Sequence, residues 1–154
     1  MLKEHDVIAF VASAQPDRAL KFYSEILGLN LVEDSPFALV FDVGGRMLRI
    51  QKVQALVPAP HAALGWSVPD IRREIESLMT RGVTFERFTG MSQDELGVWT
   101  SPDGHKVAWF RDPDGNNLSL TEFRPWWRVS AGQAARPVID GSSQGHRSAK
   151  TVRF

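Results

Sequence analysis

The chain has 154 residues, is 43% hydrophobic, balances 18 basic against 18 acidic side chains and contains no cysteine. Such a length and composition fit one globular domain with a tail and leave no room for a second full domain. The missing cysteine excludes disulfides, thiolate catalysis and sulfur-bound zinc, so any metal would need His, Asp or Glu.

In chain order, residues 7–12 form an apolar strand, and Pro16 opens a helix over 16–27 that ends at Gly28. Proline suits a first helical turn, where its missing N–H is no loss, and glycine suits the left-handed position that stops a helix. Ala19, Phe22, Tyr23 and Ile26 recur at helical spacing and give this helix one buried stripe. Strands follow over 30–33, 37–43 and 46–53, the last two joined by Gly44-Gly45. Residues 55–62, with Pro58 and Pro60, form a linker. The pattern then restarts: a strand over 63–68, a helix opened by Pro69 and carrying Ile71, Ile75 and Leu78, and a stop at Gly82. Strands are predicted over 83–87, 97–100 and 106–111, and a final one over 117–123. Ser101-Pro102-Asp103-Gly104 and Asp112-Pro113-Asp114-Gly115 are tight turns, because proline presets one corner and glycine takes the positive φ of the other.

A repeat of roughly 54 residues therefore predicts an α+β fold built from two βαβββ modules, 6–54 and 62–123, within a domain spanning 1–123. Residues 124–154 form a basic tail: Arg124, Arg128, Arg136, Arg147, Lys150 and Arg153 face a single acid, Asp140. It is read as either disordered or docked on the body or on a partner subunit, with Trp126-Trp127 as the argument for docking. Its basic residues are too sparse to predict nucleic-acid binding. No apolar run is long enough to span a membrane and residues 1–6 are too polar for a signal peptide, so a cytoplasmic location without a membrane partner is expected.

The segments Arg18-Ala19-Leu20-Lys21-Phe22-Tyr23-Ser24-Glu25-Ile26-Leu27-Gly28-Leu29 and Phe110-Arg111-Asp112-Pro113-Asp114-Gly115-Asn116-Asn117-Leu118, set in a duplicated chain, resemble the vicinal oxygen chelate superfamily of glyoxalase I, bleomycin-resistance proteins and extradiol dioxygenases. The resemblance covers residues 6–123. It implies curved mixed sheets around a cavity, often completed in a homodimer. In metal-using relatives it also implies one ligand from the first and one from the last strand of each module. Those positions fall on Ile8, Arg49, Ala63 and Ser119. None is a usual ligand: isoleucine and alanine have no lone pair, arginine repels a cation and serine is a poor donor alone. His61, two residues before Ala63, shares its strand face if the strand is regular, whereas His5 and Glu122 fall on the other face.

The chain is accordingly expected to use no cofactor and to hold a small organic molecule, anionic or aromatic, in the cavity. The candidate lining is Ile8, Phe10, Met47, Arg49, Gln51, His61, Ala63 and Ser119, with Trp99 and Trp109 either packed across neighbouring strands or forming a stacking wall. Arg49 either pairs with an acid such as Asp42 or Glu122 or anchors an anion. Trp66 is expected to pack under the helices and His105 to be solvated in its turn. Two alternatives stay open. One is a glyoxalase-like lyase or dioxygenase, using a divalent metal in a site shifted onto His61 or, without metal, Arg49 as electrophile. The other is an interaction or regulatory module working through the tail.

Overall fold

The structure is a computed structural model and describes residues 1–125; the expectations about Trp126-Trp127 and the rest of the tail lie outside the described residues. Two mixed four-stranded sheets result. The first module contributes β1 (Ala9–Ser13), α1 (Pro16–Lys21), β2 (Asn30–Asp34), β3 (Ala38–Val43) and β4 (Arg46–Lys52), in the order β1-β4-β3-β2. The second contributes β5 (Ala62–Ser67), α2 (Ile71–Thr80), β6 (Trp99–Thr100), β7 (Lys106–Arg111) and β8 (Asn117–Glu122), in the order β5-β8-β7-β6. In each, the first strand pairs parallel with the last and the remaining pairs are antiparallel. The duplication predicted from sequence is thus repeated in the topology.

Pro16 is the first residue of α1, as its fixed φ favours. After Lys21 the helix widens into a π-helical turn, Phe22–Ile26, closed by the bond from Leu27 N to Phe22 O. Both Phe22 and the adjacent Tyr23 are buried there, their rings edge to face at 5.3 Å. Pro69 behaves differently from the expectation. It precedes Asp70, whose carboxylate accepts from Arg73 N and caps a helix that begins only at Ile71. Glu122, at the end of β8, also accepts from Ile71 N at 2.9 Å and from Lys106 Nζ at 3.0 Å. Burial alone would raise its pKa. The Ile71 N–H and the Lys106 ammonium outweigh that and hold the carboxyl below its usual range.

The strand predicted over 83–87 is reduced to one bridge, Phe85 to Phe110, and a bond from Glu86 N to Trp109 O. Together with the two residues of β6 it lines the outer edge of β7, so the fourth strand of this sheet comes in two pieces. The connection between them is held by side chains. Gln93 accepts from Phe88 N and donates to the carbonyls of Glu86 and Gly97, and Asp94 accepts from Leu96 N and Val98 N.

One hydrophobic cluster runs through both modules, joining Ala19, Phe22, Tyr23, Leu48 and Ile50 of the first to Ile71, Ile75, Phe110, Leu118 and Leu120 of the second. The strand faces that carry these residues bear the helices. The alternate residues of the same strands form the opposite, open face.

Candidate functional site

Register fixes who stands beside whom on the open face. In the first module Arg49 of β4 lies between Phe10 of β1 and Val40 of β3, and Val40 continues to Glu33 of β2. Gln51 lies between Ala12 and Ala38, and Met47 beside Asp42, with Ile8 just ahead of β1 on the same face as Phe10. This half-site is wet and apolar together: Phe10 is 52%, Ile8 45% and Met47 41% exposed. A cavity of about 220 Å³ opens among Val32, Val40, Asp42 and Met47.

Arg49 is partly buried in the middle of this face, and neither acid expected to neutralise it does so. Asp42 accepts from Gly45 N in the β3–β4 turn, where Gly44 and Gly45 both take positive φ. Glu122 is committed to Lys106 and α2 in the other module. Among the described residues no carboxylate or carbonyl meets the Arg49 guanidinium, leaving its fork of donors available.

The second module repeats the register with different side chains. Ser119 of β8 lies between Gly65 of β5 and Trp109 of β7, matching Phe10, Arg49 and Val40 strand for strand. Gly65 stands close against its neighbour: a Cβ there would lie 2.6 Å from Ser119 Oγ, so the hydroxyl would have to shift. Trp109 meets Trp99 at 6.3 Å and Phe88 edge to face at 5.5 Å. These tryptophans are diagonal neighbours on adjacent strands, Trp99 standing opposite Val107, and both keep some exposure. Asn117 is buried, and its Oδ1 has no hydrogen-bond donor.

Of the expected residues, the structure groups Ile8, Phe10, Met47, Arg49 and Gln51 on one sheet and Trp99, Trp109 and Ser119 on the other. The sheets adjoin through β1 and β5, which run in opposite directions. At one end Asn116 Nδ2 donates to Ala12 O, and at the other Ala9 shares a cavity with Leu64, Gly65 and Trp66. No hydrogen bond or ring contact links the two groups among the described residues. His61 and Ala63 do not keep their assumed places. A bulge puts Ala62 opposite Asn117 and Leu64 opposite Leu118, so Ala63 is the extra residue and the alternation that tied His61 to this face is broken.

Metal ligation fails on donor chemistry. The positions that the resemblance implies carry Ile8, Arg49, Ala63 and Ser119. Among the described residues no three His, Asp or Glu side chains converge elsewhere. These residues do not fit a divalent ion.

Two features escaped the sequence reading. Asp112 is a buried hub whose Oδ2 accepts from Tyr23 Oη at 2.8 Å and Asn116 Nδ2 at 2.8 Å, while its Oδ1 accepts from Asn116 N and Asp114 N. Asp114 in turn accepts from Ser13 Oγ at 2.5 Å and Ala14 N at 2.8 Å, so this turn clamps the end of β1. Burial first, and then the Asp112 carboxylate, push the Tyr23 phenol far above its ordinary value and keep it a donor. His105 is not simply solvated: its ring packs on Phe123 at 5.4 Å and its Nδ1 accepts from Arg124 N. Trp66 does pack on the helix side, stacked on Phe110 at 6.3 Å.

The family model of the glyoxalase/bleomycin resistance protein/dioxygenase superfamily matches residues 6–120. The chain belongs to that superfamily. Solved structures agree with the fold of this superfamily member. A glyoxalase family protein from Bacillus anthracis aligns with TM-score 0.61 at 20% identity, over 78% of this chain and 95% of its own. A lactoylglutathione lyase from Agrobacterium tumefaciens gives 0.58 at 21%, over 79% and 96%. A superfamily member from Sphaerobacter thermophilus DSM 20745 gives 0.56 at 25%, over 77% and 95%. No curated protein matches the chain. No described helix is long and apolar enough to cross a membrane. Tyr23 and Asp112 come from the two segments that carried the resemblance, and they are hydrogen-bonded across 89 residues of chain.

Proposed function

We propose that this superfamily member binds a small organic anion with a planar apolar body on its open face, with no metal ion taking part. The observation that carries the reading is Arg49: a partly buried guanidinium without an acid partner among the described residues, between Phe10 and Val40, at a position where the family resemblance implies a ligand in metal-using relatives. A bidentate carboxylate or phosphate would satisfy that fork, and Phe10, Ile8 and Met47 supply apolar surface that water now covers. Trp99 and Trp109 provide flat faces for the ligand's body. The exposed apolar row also supports closure of the site by a second copy of the chain, as a homodimer. A metal-dependent reaction through His61 draws no support from this arrangement, because the bulge at Ala63 takes away the alignment it needed.

The test is titration of the full chain with 2-naphthoate, followed by tryptophan quenching, beside its neutral analogue 2-naphthamide. Saturable quenching by the carboxylate is expected, weakened about tenfold or more in Arg49→Met, as loss of a charge-assisted pair implies. Equal affinity in the variant, or no saturation up to about 10 mM, overturns the reading.

A further inference from the structure

On the helix-bearing side, where the modules meet, a second cavity of about 210 Å³ is lined by Leu27, Trp66, Leu78, Phe110, Leu120 and one acid, Glu74. Its floor is core: Phe110 is fully buried and Leu120 nearly so. Trp66, stacked on Phe110 at 23° between planes, forms a wall. Glu74 breaks the pattern of its own helix. Ile71, Ile75 and Leu78 mark the apolar stripe of α2, and Glu74 stands three residues after the first of them, within that stripe. The helix dipole favours an acid in this first turn on any face, so it does not account for one facing the core. Among the described residues the Glu74 carboxylate has no hydrogen bond or ion pair. Arg81 donates instead to Ile26 O, and Arg72 pairs with Asp94 and Glu95.

We propose that this seam pocket is a separate binding site for a small amine with an apolar or aromatic body. Its ammonium would meet the Glu74 carboxylate and the Trp66 face, and its body would fill the space over Phe110 and Leu120. An indole face and a carboxylate around an apolar floor select a cation over a neutral isostere, because each attracts positive charge and the carboxylate has no partner among the described residues. An adjoining cavity of about 370 Å³ shares Val43 and Trp66 and carries Arg46, so a longer ligand body has room, whereas a second ammonium there would be repelled.

Benzylamine, with benzyl alcohol as its neutral counterpart, is titrated into the ¹⁵N-labelled full chain while the indole N–H resonances are followed, that of Trp66 being assigned with Trp66→Phe. Benzylamine is expected to shift the Trp66 signal saturably, with benzyl alcohol at least about tenfold weaker. Glu74→Gln, a partly exposed helix position that keeps its packing volume, should weaken benzylamine by a similar factor, and Arg49→Met should leave it unchanged. Equal binding of the alcohol, equal binding by Glu74→Gln, or no saturable shift at Trp66 up to about 20 mM overturns the proposal. Because 2-naphthoate reports on Arg49 and benzylamine on Glu74, either site can fail without the other.

Discussion

At residues 101–105 and again at 112–116 the chain makes the same turn twice. Gly104 N bonds to Ser101 O as Gly115 N bonds to Asp112 O, and Ser101 N to His105 O as Asp112 N to Asn116 O. The side chain that opens each turn accepts the same backbone N–H, Ser101 Oγ from His105 N and Asp112 Oδ1 from Asn116 N. Pro-Asp-Gly is therefore enough to build the reversal. The two differ first in the second oxygen that a carboxylate has and a hydroxyl lacks. It lets Asp112 reach Tyr23 and the Asn116 amide, and together with the Asp114 bonds to Ser13 and Ala14 and the Asn116 bond to Ala12 O it turns a local loop into the joint between modules. The lesson is that a motif can be strongly local in cause and long-range in effect.

Converting the second turn into the first is the strongest way to break that contrast. Asp112→Ser keeps an acceptor for Asn116 N but strands the buried Tyr23 hydroxyl and leaves the Asn116 amide only its bond to Ala12 O, and should cost about 3 kcal/mol in urea unfolding. The reciprocal Ser101→Asp gains no partner and should stay within about 0.5 kcal/mol. Equal effects would mean that the extra oxygen does nothing for the fold.

Tyr23→Phe removes only the donor and is expected to cost about 1.5 kcal/mol at neutral pH. Its pH signature is more telling. The folded state holds the phenol proton above the ordinary value near 10, whereas the unfolded chain releases it there, so N binds more protons than U and stability falls as pH rises beyond about 10. Tyr23 is the only tyrosine, so tyrosinate absorbance reads it alone. That absorbance should appear with unfolding rather than ahead of it, and the alkaline loss of stability should flatten in Tyr23→Phe. A simple titration near 10 in the folded protein would show the bond to be absent.

Much of the fold was legible because its causes are local. Pro16, Gly28, Gly44-Gly45, Gly82 and the two Pro-Asp-Gly turns each act through their own φ preferences, and the alternation in β4, β7 and β8 assigned residues to faces. The same alternation misled at residues 83–87. Val83 and Phe85 are both buried in an extended segment, yet only Phe85 finds a strand partner, since β6 takes the other end of β7. The bulge at Ala63 was invisible for a related reason: two alanines before Leu64 give no apolar contrast from which to read a slip. For the site, register on β4 and β8 placed Arg49 and Ser119 correctly on strands, but whether Arg49 met Asp42 depended on the Gly45 N–H, a competitor that only the folded turn reveals.

The smallest expected effect sharpens the comparison by asking what the two turns still share. Gly104 and Gly115 sit at φ +83° and +87°, where a Cβ is strained whatever surrounds it. The spaces differ slightly: an added Cβ would lie 3.1 Å from Arg124 Cδ at the first and 3.4 Å from Pro58 Cγ at the second. Arg124 is exposed and can swing aside, whereas Pro58 already stands at ordinary contact distance, so neither neighbour should add much. Gly104→Ala and Gly115→Ala are therefore each expected to cost about 1 kcal/mol, equal to within about 0.5 kcal/mol, by urea denaturation. Equality would show that backbone geometry contributes alike at both turns and that the joint resides in the side chains of the second turn, Asp112, Asp114 and Asn116. A markedly larger loss at Gly115 would instead place part of the joint in the turn's own backbone, pressed between the linker and β1.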